Sequence, residues 1–188
     1  MIGFRQQNRI NIFSTAEPSS KVSIWQTWVT NLKLTTCDYC FEQRGKIFSH
    51  ENELGKKPPV HNYCGCQIET LTSIKAGTAT KDQNEGADWY LYYQSTLPDY
   101  YISKSDAYNL GWKPQKGNLW EITEGKYIFG GIYRNRDKKL PEQEGRTWYE
   151  CDIDYEGGFR NNSRIVFSND GLIFVTYDHY RTFFEIGE

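Results

Sequence analysis

From about residue 126 onward the apolar residues of this chain fall into short strand-like runs, and that change of pattern constrains its fold more than any other feature. "RTWYECDID", "RIVFS", "LIFVT" and "RTFFEI" are alternating or apolar runs, separated by the turn residues of "EGG", "NDG" and "YDH". Runs of this kind predict strands joined by tight turns. The segment before them reads differently. "GADWYLYYQSTLP" carries an aromatic face at helical spacing and stops at a proline. "SKSDAYNLGW" offers Ser103 as an N-cap, Asp106 three residues on, and Gly111 as a stop, which is a capping-box pattern. Helices followed by a run of strands predict an α+β fold, with N-terminal helices packed on an antiparallel sheet.

Upstream, "TSIKAGTATKDQNEG" (72–86) is polar, small and aperiodic, and predicts a linker over residues 72–85. The chain then divides into an N-terminal unit over 1–71, with 1–24 as a flexible lead-in, and a C-terminal unit over 86–188. Four of the five cysteines lie in the first unit, in "CDYC" (37–40) and "HNYCGC" (61–66). Two pairs of soft ligands separated by a loop fit a tetrahedral zinc site, formed by Cys37, Cys40, His61 and either Cys64 or Cys66. Two disulfides are the competing arrangement; they are disfavoured because Cys64 and Cys66 sit too close together for separate bridges. Four protein ligands leave no open position, so the zinc is expected to be structural.

Charge narrows the function. Residues 84–188 carry 12 Lys and Arg against 17 Asp and Glu, while residues 1–83 carry 10 against 7. The C-terminal unit is therefore no bulk attractor for nucleic acid, and any such role must come from a local cluster of cations. No apolar run reaches the roughly 20 residues of a membrane span. The opening "MIGFRQQNRINIF" has no h-region of a signal peptide. A secreted or cell-delivered protein of this sequence would need another carrier, or would be cut from a longer polypeptide.

Cutting RNA without a metal needs a base for the 2′-hydroxyl, an acid for the departing 5′-oxygen, and cations where charge gathers on phosphorus. Candidates are present. In "RTWYECDID", Trp148, Glu150 and Asp152 share one strand face. Arg160 falls in a turn and Arg164 opens the next strand, where antiparallel pairing is expected to bring it near Glu150. His179 sits in the last turn, and Lys104 in the first turn of the capped helix. Each alone has a plain reading as a solvated or ion-paired surface residue.

The stretches "LPDYYISKSDAYNLGW", "KGNL", "NRDKKLP", "GRTWYECDIDY", "GFRNNSRIVFS" and "YDHYRTF" are ordered along residues 86–186 as in the barnase family of guanyl-preferring bacterial ribonucleases, which this region closely resembles. The resemblance implies Glu150 as general base, His179 as general acid, Arg160 and Arg164 as phosphate-binding arginines, and Lys104 as a transition-state lysine, with no catalytic cofactor. It implies substrate contacts from Tyr133, Asn135, Arg136, Asp137 and Tyr180, with loop amides and the carboxylate of Asp137 reading guanine. It also implies a small acidic immunity protein of the barstar type as partner, the chain itself being a monomer or part of a larger toxin. Three positions depart from the family: Asp137 is one methylene shorter than its glutamate, Gly131 replaces a buried aspartate, and Gly171 replaces a tryptophan. Cys151 is expected to be a buried free thiol. In the first unit, Trp28, Thr30, Cys37, Cys40, Pro58, Pro59, His61, Cys64 and Cys66 follow an order that resembles the zinc-ligand segment of phage head-morphogenesis proteins, found upstream of bacterial toxin domains. The competing function is a barnase-like scaffold, weak or inactive, whose zinc adaptor binds protein partners.

Overall fold

The structure, a computed structural model, describes residues 24–32, 36–49 and 54–188. The expected lead-in over 1–24 therefore lies, save for Ile24, outside the described residues. The N-terminal part forms a three-stranded antiparallel sheet of order β2-β1-β3, from β1 (Gln26–Thr30), β2 (Ile47–Phe48) and β3 (Cys66–Thr70). Helix α1 (Asp38–Gln43) leads from β1 back to β2. The rest of the chain builds β4 (Ser73–Lys75), α2 (Ala87–Gln94), β5 (Tyr101–Ser103), α3 (Lys104–Asn109) and α4 (Leu119–Thr123). Strands β6 (Tyr127–Tyr133), β7 (Trp148–Asp152), β8 (Arg164–Ser168), β9 (Ile173–Thr176) and β10 (Phe184–Gly187) follow.

These strands form one sheet of order β4-β10-β9-β8-β7-β6-β5. Its centre is antiparallel as expected, but both edges are parallel: β4 on β10 and β5 on β6. Strands β4 and β10 lie over a hundred residues apart, and β5 reaches β6 across helices α3 and α4, so local periodicity reveals neither pairing. Helix α3 starts as its sequence predicts. The Ser103 hydroxyl accepts the Asp106 amide at 3.1 Å, and Gly111 beyond the end takes φ +101°.

Every residue of β8 and β9 is buried, so both faces of the sheet are covered. On one face Cys151, Ile165, Phe167, Ile173 and Val175 meet Ala87 and Leu91 of α2. Cys151 is a free, fully buried thiol, as expected. On the other face Trp148, Val166 and Phe174 lie with Trp25, Ile47 and Leu71 of the N-terminal part. Each such large side chain taken from water contributes about 1.5–3 kcal/mol. The small sheet is thus a roof over half of the second face.

Residues 72–85, expected as a linker, are built into the large sheet. Strand β4 pairs Ser73, Ile74 and Lys75 with Glu185, Ile186 and Gly187. Beyond it the chain turns around the carboxylate of Asp88, which is fully buried. Asp88 accepts the amides of Gly77 at 2.7 Å and Ala79 at 2.9 Å, and the Thr80 hydroxyl at 2.9 Å. The small residues are there because the space is tight: a Cβ on Gly86 would lie 2.0 Å from the Thr80 hydroxyl oxygen. Composition alone reads such a stretch as loose.

Asp88→Ala leaves three buried donors unpaired, and each costs about 1–3 kcal/mol. Urea unfolding is expected to show a loss of at least about 3 kcal/mol; a loss below about 1 kcal/mol would mean that water replaces the carboxylate.

Candidate active site

Strands β6, β7 and β8 set the site. A bulge between Phe129 and Gly131 brings Gly131 opposite Glu150 on β7, and Glu150 opposite Val166 on β8. Gly130 has to lack a side chain, since its Cβ would fall 2.6 Å from Glu150 Oε1. The Glu150 side chain is 13% exposed and has two polar neighbours. Lys104 Nζ lies 3.4 Å from Oε1, and the Tyr180 hydroxyl donates to Oε2 at 2.6 Å. Burial, then the bond to Glu150, holds the Tyr180 phenol well above its ordinary pKa, so it remains a donor. Tyr133 stacks on Tyr180 with ring centroids 5.0 Å apart, and burial pushes its phenol up to about 12.

The two arginines are placed by a residue that sequence reasoning did not assign. Arg164 lies directly opposite Asp152, one residue pair of the same face away from Glu150, which lies opposite Val166. Asp152, 1% exposed, takes Arg160 through Nε and Nη2, both at 2.5 Å, and lies 2.9 Å from Arg164 Nε. The Arg164 contact is an ion pair whose Nε–H points off the ideal line, which leaves that nitrogen without a full hydrogen bond. Burial opposes the charge on Arg160, but the hydrogen bonds and charge of Asp152 outweigh it and raise its pKa. The Arg160 guanidinium also sits 5.9 Å from the Trp112 ring. The signal available in sequence was that Asp152 shares a face with Glu150.

His179 is exposed, next to Tyr180, with ring centroids 4.7 Å apart. Both residues have left-handed backbones, φ 58° and 67°. Asp178 holds that turn by accepting the amides of Arg181 at 3.0 Å and Thr182 at 2.9 Å, and the hydroxyls of Thr176 and Thr182. Partial burial works against its charge, yet these donors keep the carboxyl below the usual range. The His179 amide donates to Asn162 O at 3.1 Å, tying the turn to the loop between Arg160 and Arg164. Glu150, Lys104, Tyr133, Tyr180, His179, Arg160 and Arg164 therefore share one region.

The loop after β6 is closed by one of its own side chains. The Asn135 side chain is buried and closes the loop on itself: its amide nitrogen donates to Leu140 O at 2.8 Å, and its oxygen accepts the Leu140 amide at 3.1 Å. It is not available to a ligand. Arg136 and Asp137 are exposed at the tip. Gly131 leaves open space at the family's aspartate position, with no atom within 4 Å of an added Cβ and φ +81°.

Away from this region, the ligand atoms of Cys37, Cys40 and His61 lie within 4.8 Å of one another, as do those of Cys40, Cys64 and Cys66. The Cys40 and Cys64 sulfurs are 3.7 Å apart. Zinc–sulfur bonds of about 2.3 Å at tetrahedral angles give an S···S edge of about 3.8 Å. His61 Nδ1 lies 2.8 Å from Asn62 O, which leaves Nε2 toward Cys40 Sγ at 3.8 Å. A carbonyl partner on the far nitrogen is how a metal-binding imidazole is oriented. Burial works against ionisation of Cys64, but the backbone hydrogen bonds at Cys66 and Val60 and the Cys40 thiol outweigh it, bringing Cys64 to about 7. The donor set fits a closed structural metal.

A family model described as ribonuclease matches residues 61–187. A protein named ribonuclease from Bacillus intermedius is 48% identical over 116 residues, covering 62% of this chain and 72% of the relative. Another ribonuclease, from Heyndrickxia coagulans, is 51% identical over 102 residues, covering 54% of this chain and 94% of the relative.

Asp152→Ala leaves two arginines without their shared anion. Removing one partner of a buried pair costs about 3–5 kcal/mol, and that loss is expected in chemical denaturation. Crystals of the variant should show Arg160 turned to solvent; an unmoved Arg160 would assign its placement to Trp112 instead.

Proposed function

The chain belongs to the ribonuclease family and is an endoribonuclease, and from that premise we propose that it cleaves single-stranded RNA after guanine by metal-free transesterification. Glu150 takes the proton of the 2′-hydroxyl as its oxygen attacks phosphorus. The bond to the 5′-oxygen breaks, and His179 gives that oxygen its proton. The product is a 2′,3′-cyclic phosphate and a free 5′-hydroxyl. Water later opens the ring with the two roles exchanged. Arg160, Arg164 and Lys104 supply positive charge where the phosphorane becomes most negative. Tyr180, protonated and bonded to Glu150, orients the base. Backbone amides of residues 134–138 and the carboxylate of Asp137 meet the guanine, with Tyr133 beside the loop. The observation that carries this reading is the meeting of one strand carboxylate, one exposed imidazole in the adjoining turn and an aspartate-held pair of arginines in one region.

The Cys/His cluster supports a structural zinc held by Cys37, Cys40, His61 and Cys64. Cys64 is chosen over Cys66 because its sulfur sits at the tetrahedral edge distance from Cys40, whereas the Cys66 thiol donates to the Thr30 hydroxyl at 3.7 Å. Zinc would tie α1 to the 61–64 turn and take no part in the chemistry. With its resemblance to phage head-morphogenesis segments, we read this part as an adaptor that carries a ribonuclease toxin into a target cell. The net positive cluster of Lys104, Arg160 and Arg164 suits a small acidic immunity protein in the producer.

RNA cleavage is expected to persist in excess EDTA and to fall by roughly 10²–10⁴-fold in His179→Ala and in Glu150→Gln, the size of a general acid–base contribution. Folded variants retaining full activity would falsify the assignment. Separately, elemental analysis should find one zinc per chain, kept in Cys66→Ser and lost in Cys64→Ser; the reverse pattern exchanges the two cysteines.

A further inference from the structure

The base-reading loop of the proposed function is backbone-strained and is held in place by its surroundings. Asn135 and Lys138 have left-handed backbones, φ 44° and 48°, although neither is glycine. Such residues persist only where their surroundings over-determine them. Some of that support is internal, through the Asn135–Leu140 pair and the Lys138 amide, which donates to Asn135 O at 2.9 Å. The rest comes from the small N-terminal sheet. The Ile47 amide of β2 donates to Lys139 O at 2.7 Å. Ile47 and Leu140, 4% and 1% exposed, are buried in the same cluster with Trp25 and Leu71.

Lys139 extends the contact to the other side of the site. Its half-buried ammonium donates to Tyr180 O at 3.1 Å and Arg181 O at 2.9 Å, the two carbonyls that follow His179. Burial lowers its pKa, with Arg44 and Arg181 adding to that and Asp137 and Asp178 opposing it. The turn that enters β2 approaches the same backbone, for an added Cβ on Gly45 would lie 3.3 Å from Arg181 O. One residue of the loop thus touches β2 by its carbonyl and the His179 turn by its side chain.

We propose that the N-terminal sheet is a brace for base selection, with Ile47 and Lys139 as positioning residues that fix the loop over 134–140 against the turn over 178–182. Neither touches substrate. The brace rests on the reading of that loop as the guanine contact, and makes binding of the base, rather than the chemical step, depend on a part of the chain outside the 86–188 unit. Ile47→Ala loosens the loop alone; Lys139→Met also frees the turn beside His179.

The test uses the full chain, with GpA and ApA dinucleotides as substrates and amide exchange as a second readout. Ile47→Ala should raise KM for GpA about tenfold, the release of one strained loop conformation, with kcat little changed. Lys139→Met should raise KM similarly and lower kcat as well, and Lys139→Arg should recover most of both. The amides of Lys138 and Leu140 should lose protection in Ile47→Ala and Lys139→Met. If β2 does not form in Ile47→Ala, Ile47→Val, one methylene smaller, takes its place with the same expected direction, while Lys139→Met tests the arm to the His179 turn separately. Unchanged loop protection in folded variants overturns the brace, whatever the base preference. An unmutated chain that cleaves GpA and ApA equally overturns the base-reading role and with it the proposal's functional half, while the exchange result still decides whether the sheet holds the loop.

Discussion

The site depends on one buried carboxylate. Asp152 is 1% exposed and binds two guanidiniums, an arrangement that neutralises one of the two positive charges and leaves a net charge of one. Without it, two arginines in so apolar a setting would repel each other and turn outward. Its place on β7 matters as much as its charge. Asp152 and Glu150 are two residues apart on the same strand face, roughly 7 Å at the usual strand rise. That is about the span needed to set a base on one side of a phosphodiester and cations on the other. The rigidity of the central strands, buried on both faces, carries over directly to the reacting groups.

This also resolves the charge problem. Residues 84–188 carry more acids than bases, so attraction for RNA cannot be a property of the whole surface. On the proposed mechanism it arises where Asp152 gathers Arg160 and Arg164 and where Lys104 stands 3.4 Å from Glu150. A field focused on a few ångströms suits phosphate recognition and makes its long-range reach short at ordinary salt.

Strands β7, β8, β9 and β10 were legible as short alternating or apolar runs between turn residues; β8 and β9 are mostly apolar rather than alternating because both of their faces are buried. The Ser103 cap was legible because capping is local. What escaped is non-local. The register of β8 on β7 decides that Arg164 faces Asp152, and alternation leaves a shift of two residues invisible, since it keeps every side chain on the same face. Strand β4 escaped because its partner lies over a hundred residues away and its neighbours are small. The Asn135 side chain closes its own loop, a role that the expected contact through loop amides did not include. Of the proposed catalytic groups, resemblance supplied the roles and the fold supplied the reason they meet.

The N-terminal sheet brings the argument back to stability. Its own core holds only Trp28, Cys40 and Phe48 fully buried among the described residues, too little for three short strands to stand alone. Two sources can make up the deficit. One is a metal at the Cys40 cluster, which fixes α1 to the 61–64 turn. The other is the large sheet, over which Trp25, Ile47 and Leu71 bury their apolar surface with Trp148, Val166 and Phe174. The second source makes dependence mutual. The face that carries Glu150 and Asp152 would otherwise expose Val166 and Phe174 beside the site, so the roof that the small sheet needs as a foundation also keeps water from the floor on which the loop over 134–140 rests. A boundary drawn at the polar stretch over 72–85 divides composition, while the physical unit runs from Trp25 through β10.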